Sequence, residues 1–409
     1  MSLKLLLISV SGTIANEDNK VDKAVLKQLA KLAKQLTENG VHVALWSNRK
    51  WTYNKTTSLH EYFSELAGVK IAAHGAHEDG KPSRRLADSV VPVLNQYGVQ
   101  KHETILLGGT DEDMRAGVNN NLLHIRADWY GQLSSYGFAV KTVSELARFC
   151  FVFAMRKHPL FFALNNGGLI YHSAGPFSTM IDAYALFGED AKQAAKFGYG
   201  HPEFWFYLTI STLYFSGLLI GVKYICTYPG HSASAATPSD DSLQAALMRL
   251  GKCLRMSFYH DLLIRHTSAA KSQPIKAAQR TFVNQIQSIQ LNQHPHKNFA
   301  AAPNKGAINL RDKVVLVVDD ICTSGRSLES ARAYIEAAGG EARLFTWLRT
   351  INTSYWELAA APRIKPYQAN SIGKEPSSIQ HSYHSGIVDG KAPHELSQVF
   401  NAYSSWSWS

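Results

Sequence analysis

Cysteine is scarce in this chain, with four among 409 residues. Cys150, Cys226, Cys253 and Cys322 show no metal-binding spacing and mostly sit in apolar runs. That excludes a disulfide scaffold or a cysteine-rich zinc module and reads as reduced, buried thiols of a cytoplasmic protein. No G-x-G-x-x-G follows a strand-like run, so a dinucleotide-binding turn is missing. Long apolar runs are missing too. The most apolar stretch, Phe204 to Val222, is broken by Thr209, Ser211, Thr212, Ser216 and two glycines. It reads as a buried helix feeding a strand rather than as a membrane span. The apolar start, Leu5 to Val10, is only strand length, so no signal peptide is expected. What is present is a globular composition, 45% hydrophobic and 18% charged. A chain of 409 residues exceeds one ordinary core, so two domains are expected. The net charge of +10 suits a phosphorylated ligand or nucleic acid. Because the basic residues are scattered, it suits plain surface charge equally.

The most informative segment is Val315-Leu-Val-Val-Asp-Asp-Ile-Cys-Thr-Ser-Gly-Arg-Ser327. An apolar strand delivers two adjacent carboxylates, Asp319 and Asp320, into a small polar loop. That loop, Thr323-Ser324-Gly325-Arg326-Ser327, opens a helix-like segment from Leu328 to Ala338. Backbone N–H groups at such a helix start point at an anion, hydroxyls add donors, and glycine admits close approach. Carboxylates repel phosphate, so the pair must serve sugar hydroxyls, a divalent metal, or both. A ligand with a phosphate, vicinal hydroxyls and a metal-bound pyrophosphate fits every part, which points to phosphoribosyl pyrophosphate (PRPP).

The segment resembles the PRPP-binding motif of type I phosphoribosyltransferases position by position. The resemblance implies that Asp319 and Asp320 hold the ribose hydroxyls and that Thr323 to Ser327 hold the 5′-phosphate, with Mg²⁺ brought by the ligand and possible metal contacts from the two aspartates. Upstream, Asp261-Leu-Leu-Ile-Arg265-His-Thr267, with Gln273, Arg280 and Asn284 beyond it, resembles the hood of the competence-protein (ComF-type) branch. The Arg-to-Thr step is one residue shorter here. Arg265, Lys271 and Arg280 become candidates to close over pyrophosphate as it leaves. An ordinary solvated basic face would look the same. Tyr228-Pro229-Gly230 ends a preceding strand where the family keeps a pyrophosphate loop. His294 and His296 make a His-x-His pair in a polar loop without an evident third ligand, which reads as a solvated turn.

Residues 1–150 alternate strand-like and helix-like segments, as a doubly wound parallel sheet requires. The stretch resembles the haloacid dehalogenase-like (HAD) superfamily through Ile8-Ser9-Val10-Ser11-Gly12-Thr13, Leu45-Trp46-Ser47-Asn48, Lys81-Pro82 and Gly108-Gly109-Thr110-Asp111-Glu112-Asp113. Ser9 stands at the nucleophilic aspartate of that family, Ser11 at its acid/base aspartate and Gly109 at a metal-binding carboxylate. Asp113 remains. Phosphoryl transfer of this kind needs a carboxylate nucleophile beside Mg²⁺, so the expectation is a HAD-like domain without catalysis. Ser47 and Lys81 could still accept a phosphate-sized anion, or simply end a strand and carry a surface charge.

The sequence therefore predicts an α/β protein of two doubly wound parallel-sheet domains: a degenerate HAD-like domain over 1–150, a phosphoribosyltransferase-like domain over 151–364, and a polar tail over 365–409 whose tryptophans dock on a partner or on the protein itself. Phe149 to Phe162 bridges the two bodies. The expected activity is phosphoribosyl transfer from PRPP with Mg²⁺, without a membrane and with a protein partner or homo-oligomer open. Two alternatives stand beside it: a non-catalytic sensor of phosphorylated ligands, and an effector of a bacterial stress or anti-phage (retron-like) system acting on nucleotides or nucleic acid.

Overall fold

The computed structural model describes residues 2–75, 82–230, 242–268 and 281–408. Six strands form the front sheet: β1 (Leu5–Ile8), β2 (His42–Trp46), β3 (Ala72–His74), β4 (Thr104–Gly108), β5 (Leu123–Ala127) and β6 (Phe138–Val140). They run in the order β3-β2-β1-β4-β5-β6, all parallel. The connecting helices are α1 (Lys23–Glu38), α2 (Leu59–Ala67), α3 (Val91–Tyr97), α4 (Asp111–Asn120) and α5 (Val143–Arg148). Helix α1 shows how local signals set them. The Asp22 carboxylate accepts from the amides of Ala24 and Val25 at 2.8 and 3.1 Å, which caps the start. Leu26, Leu29, Ala30, Ala33 and Leu36 then bury one face, and Gly40 at φ 79° turns the chain out.

The back half holds β7 (Phe162–Asn166), β8 (Leu169–Phe177), β9 (Val222–Thr227), β10 (Ser257–Phe258), β11 (Leu263–Arg265), β12 (Ile289–Leu291), β13 (Val314–Cys322), β14 (Glu341–Thr350), β15 (Tyr355–Leu358) and β16 (Ser378–His381). Its helices are α6 (Asp182–Phe197), α7 (Pro202–Phe215), α8 (Ser242–Leu254), α9 (Phe282–Ile286), α10 (Arg326–Ala337) and α11 (Ala392–Ser404). The main sheet runs β10-β9-β13-β14-β8-β7. It is parallel except for β7, which the Asn165–Gly168 turn folds back against β8. The antiparallel pairs β11–β12 and β15–β16 stand apart from it. Two α/β bodies with parallel central sheets are thus present.

Helix α7 lies between them. Every residue from Phe204 to Phe215 is buried, as expected of a helix apolar all round. The Thr209 hydroxyl accepts from Trp347 Nε1 at 2.6 Å, and Thr212 accepts from the Arg156 guanidinium at 3.2 Å. The Tyr214 hydroxyl donates toward the Lys101 and Thr104 carbonyls of the front half, at 2.6 and 2.7 Å. Among the described residues no helix is long and apolar enough to cross a membrane. The bridging segment Phe149–Ala154 forms a short π-helical turn whose aromatics pack on α7.

The reading of 365–409 as a polar tail needs correction. Its first part adds β16, and Leu396, Val399 and Phe400 of α11 are buried, a helical spacing. The Glu395 carboxylate accepts from the amides of Lys157 and His158 at 2.8 and 3.0 Å. Beyond α11, Trp406 stacks on Phe151, and Trp408 Nε1 donates to Gln35 Oε1 of α1 at 2.8 Å. The tryptophans dock on the protein itself, Trp406 on the bridging segment and Trp408 on α1.

Candidate functional site

Strand β13 is central, with β9 on one side and β14 on the other. Val315 to Val318 are fully buried, which is why four consecutive apolar residues suit a parallel strand covered on both faces. Asp319 and Asp320 follow where the strand reaches its carboxyl end, the place where ligands bind in open parallel sheets. Both are half-buried. The Asp319 carboxylate accepts from the Asp320 amide at 2.9 Å, and the Asp320 carboxylate accepts from the Ile321 amide at 2.7 Å. Burial, and then repulsion from Asp320, pushes Asp319 well above the usual carboxylate range, and Lys196 of α6 opposes the shift.

The loop that follows is rigidly held. Gly325 caps α10 at φ 79°, a conformation that costs an ordinary residue about 1–2 kcal/mol. A Cβ there would collide with the Tyr355 ring. The Tyr355 hydroxyl donates to Glu329 at 2.9 Å, and Glu329 also accepts from the Leu358 amide at 3.0 Å and from Arg332. Burial raises the Glu329 pKa against the pull of Arg332. On the other side the fully buried Arg349 donates to the carbonyls of Cys322 (3.1 Å), Thr323 and Thr353. The Thr353 hydroxyl donates to the Thr323 carbonyl at 2.7 Å. Arg349 thus forms the back wall of the loop. With the carbonyls turned to this wall, the loop is left as a helix start furnished with hydroxyls. Arg326 lies over the rings of Trp356 and Phe282, at 4.8 and 5.6 Å.

Arg265 is brought to the same region but is buried. Its guanidinium donates to the Gly230 carbonyl at 2.5 Å, to the Ser288 hydroxyl, and to the Tyr228 hydroxyl at 3.3 Å. It braces the loop 228–230 rather than standing open to solvent. Tyr228, its pKa pushed up to about 12 by burial with Arg265 pulling the other way, donates to Gln285 Oε1 at 2.6 Å. Arg265 and Tyr228 together tie the loop 228–230 to α9 and the turn that follows it. Lys271 and Arg280, the other hood candidates, lie outside the described residues, as does Lys81.

The front half gathers Ser9 and Asp113 around a residue the sequence reading missed. Arg84 Nη1 donates to Asp113 Oδ1 at 3.0 Å, to the Trp46 carbonyl at 2.8 Å and to the Ser9 hydroxyl at 3.3 Å. Arg84 is 4% exposed and Asp113 0%. The guanidinium thus holds the space beside Asp113 that a bound cation would need. The other Asp113 oxygen accepts from the Thr110 amide and hydroxyl at 3.0 and 2.7 Å, a capping box for α4. A Cβ on Gly109 would run into the Gly12 carbonyl, so a carboxylate there requires the backbone to move. Ser11 is half-buried, and the Ser47 hydroxyl accepts from Trp51 Nε1 at 3.0 Å and the Arg49 amide at 3.2 Å, closing a turn. The signal that could have found Arg84 is Asp113 itself: a buried carboxylate needs a cationic partner.

Residues 262–351 match the family model for the phosphoribosyl transferase domain. This part of the chain is similar to a phosphoribosyl transferase domain. The matched span of the domain runs from the hood strand β11 through β13, its loop and α10 to the end of β14. No curated protein sequence matches the chain. Solved structures similar to the chain include a phosphoglycolate phosphatase candidate from Lactobacillus delbrueckii subsp. bulgaricus, at 21% identity and TM-score 0.25 over 30% of this chain and 51% of that one. Another is the cobalt-bound deoxy-D-mannose-octulosonate 8-phosphate phosphatase from Haemophilus influenzae, at 15% identity and TM-score 0.27, covering 36% and 87%. A third is D,D-heptose 1,7-bisphosphate phosphatase from B. bronchiseptica with magnesium and phosphate, at 15% identity and TM-score 0.26, covering 36% and 96%. The present chain thus spans about half the length of the first of these. The description of the front half rests on its own strand order and side chains.

Proposed function

We propose that the back half binds PRPP with Mg²⁺ and transfers its phosphoribosyl group to a nitrogen nucleophile. The observation that carries this reading is the pair Asp319–Asp320 at the carboxyl end of β13, directly before a glycine-capped helix start. Vicinal ribose hydroxyls would donate to the carboxylates. The 5′-phosphate would lie on the amides and hydroxyls of Thr323 to Ser327, and Arg326 would stay stacked between its aromatic neighbours. The carboxylates and hydroxyls are hard oxygen donors that suit Mg²⁺, and the raised pKa of Asp319 marks a site whose second negative charge lacks compensation until a cation or hydroxyl donors arrive. Mg²⁺, when bound with the ligand, would neutralise the pyrophosphate. The acceptor nitrogen would then bond to the anomeric carbon as the bond to the pyrophosphate oxygen breaks, and the carboxylates would favour the positive charge that develops on the ribose.

We read the front half as a non-catalytic partner domain, because Arg84 neutralises Asp113 and because Gly109 cannot take a side chain in the present backbone. A sensor that binds PRPP without turnover is the second reading, favoured by one observation: Arg265 is spent on protein groups. Exchange of labelled pyrophosphate into PRPP, with candidate bases as co-substrates, separates the two. Exchange supports transfer; tight binding without exchange under any base supports the sensor.

A further inference from the structure

We propose that His260, Asp261 and His296 form a binding site for a divalent transition metal of the Zn²⁺ class, separate from the phosphoribosyl site. The chain brings these residues together deliberately. Tyr259 bridges Lys297, and the Asn298 amide donates to the Phe258 carbonyl at 2.9 Å, so the turn after β10 lies against the loop after β12. The three donor atoms all lie within 4.8 Å of one another. Asp261 Oδ2 is 2.8 Å from His296 Nδ1, and Asp261 Oδ1 is 3.9 Å from His260 Nδ1. Around a tetrahedral Zn²⁺ with bonds of about 2.0–2.2 Å, neighbouring donors stand roughly 3.4 Å apart. The two separations from Asp261 straddle that value, and a bound ion would replace the hydrogen bond between Asp261 and His296.

Two further features fit a metal. His260 Nδ1 is buried and has no hydrogen-bond partner, although a buried ring nitrogen ordinarily finds one. Asn292 Nδ2 donates to Asp261 Oδ2 at 2.9 Å, and the His296 amide donates to Asp261 Oδ1 at 2.8 Å; such outer hydrogen bonds orient ligating carboxylates. Two imidazoles and one carboxylate are too rich in nitrogen for Mg²⁺ or Ca²⁺ and suit Zn²⁺, Co²⁺ or Ni²⁺. The side chains are 18–33% exposed, so water can complete the coordination.

The place suggests the role. Asp261 stands two residues before the hood strand β11, and His296 follows its partner β12. An ion here would pin the base of the hood to the edge of the sheet, two strands across from Asp319 on β13. The test uses tag-free full-length protein, stripped with chelator and titrated with Co²⁺ and Zn²⁺. We expect visible Co²⁺ absorption bands of tetrahedral type, displaced by Zn²⁺, with about one ion per chain by elemental analysis. His260→Gln and His296→Gln should each weaken Zn²⁺ binding by at least about tenfold, the scale on which metal sites respond to disturbed ligands, with an unchanged circular dichroism spectrum. A wild-type protein that gives no Co²⁺ spectrum, or a folded variant that keeps wild-type affinity, overturns the proposal. The wild-type titration stands even if a variant fails to fold.

Discussion

Replacing Arg84 by methionine should strongly destabilise the front half. Asp113 is wholly buried, and Arg84 supplies its charge partner together with hydrogen bonds to Ser9 and the Trp46 carbonyl. Removing one member of a buried pair leaves an uncompensated charge and costs about 3–5 kcal/mol. Thr110 still donates twice to the other Asp113 oxygen, so the loss should fall near the lower end, about 3 kcal/mol. Asp113→Asn in the Arg84→Met background removes the stranded charge and should recover about 1–2 kcal/mol, the cost of an unsatisfied buried group being smaller than that of an ion. Urea unfolding of the full chain, followed by tryptophan fluorescence, reads both changes as shifts in midpoint at constant m. An Arg84→Met protein within about 0.5 kcal/mol of wild type, as for an ordinary surface substitution, would refute the argument.

Gly325→Ala should weaken PRPP binding more than it lowers stability, since the strained φ and the collision with Tyr355 fall on the loop; calorimetry beside thermal melting checks this, and unchanged affinity would contradict it. Asp319→Asn should raise the melting temperature at neutral pH while impairing binding. The sign follows from the raised pKa: the native state carries no penalty below the ordinary carboxylate pKa of about 4, then loses stability as pH rises from there through the native value. The gain for Asn should therefore vanish at acid pH, and a gain independent of pH would refute the assignment. The full chain should not hydrolyse phosphate esters with Mg²⁺, and Ser9→Asp should not restore turnover while Arg84 occupies the space beside Asp113; turnover abolished by Asp113→Ala would contradict this.

The β13 strand, its acid pair and the loop on α10 were legible because a four-residue apolar run, two carboxylates and a glycine-bearing turn carry their physics locally. The front sheet was legible for a similar reason, since alternating strands and capped helices such as α1 announce themselves by period. Arg84 was not, because an arginine in a polar Ser-Arg-Arg run looks like surface until the fold turns it inward to Asp113. Arg265 was read by charge alone, and only the packing of Tyr228, Gly230 and Ser288 reveals its bracing role. Helix α11 carried a helical spacing at Leu396, Val399 and Phe400 that the surrounding Ser and His residues obscured. The His260–Asp261–His296 cluster joins residues far apart in sequence, so the neighbours of His296 were invisible until the two loops met.

The most direct test is calorimetric titration of the full chain with PRPP and Mg²⁺, comparing wild type with the Asp319→Asn/Asp320→Asn double variant. Each lost charge-assisted hydrogen bond is worth about 1.5–3 kcal/mol, so the variant should bind at least about a hundredfold more weakly while remaining folded. Equal affinity in a folded double variant, or no PRPP binding by the wild type, would contradict the assignment of the β13 site.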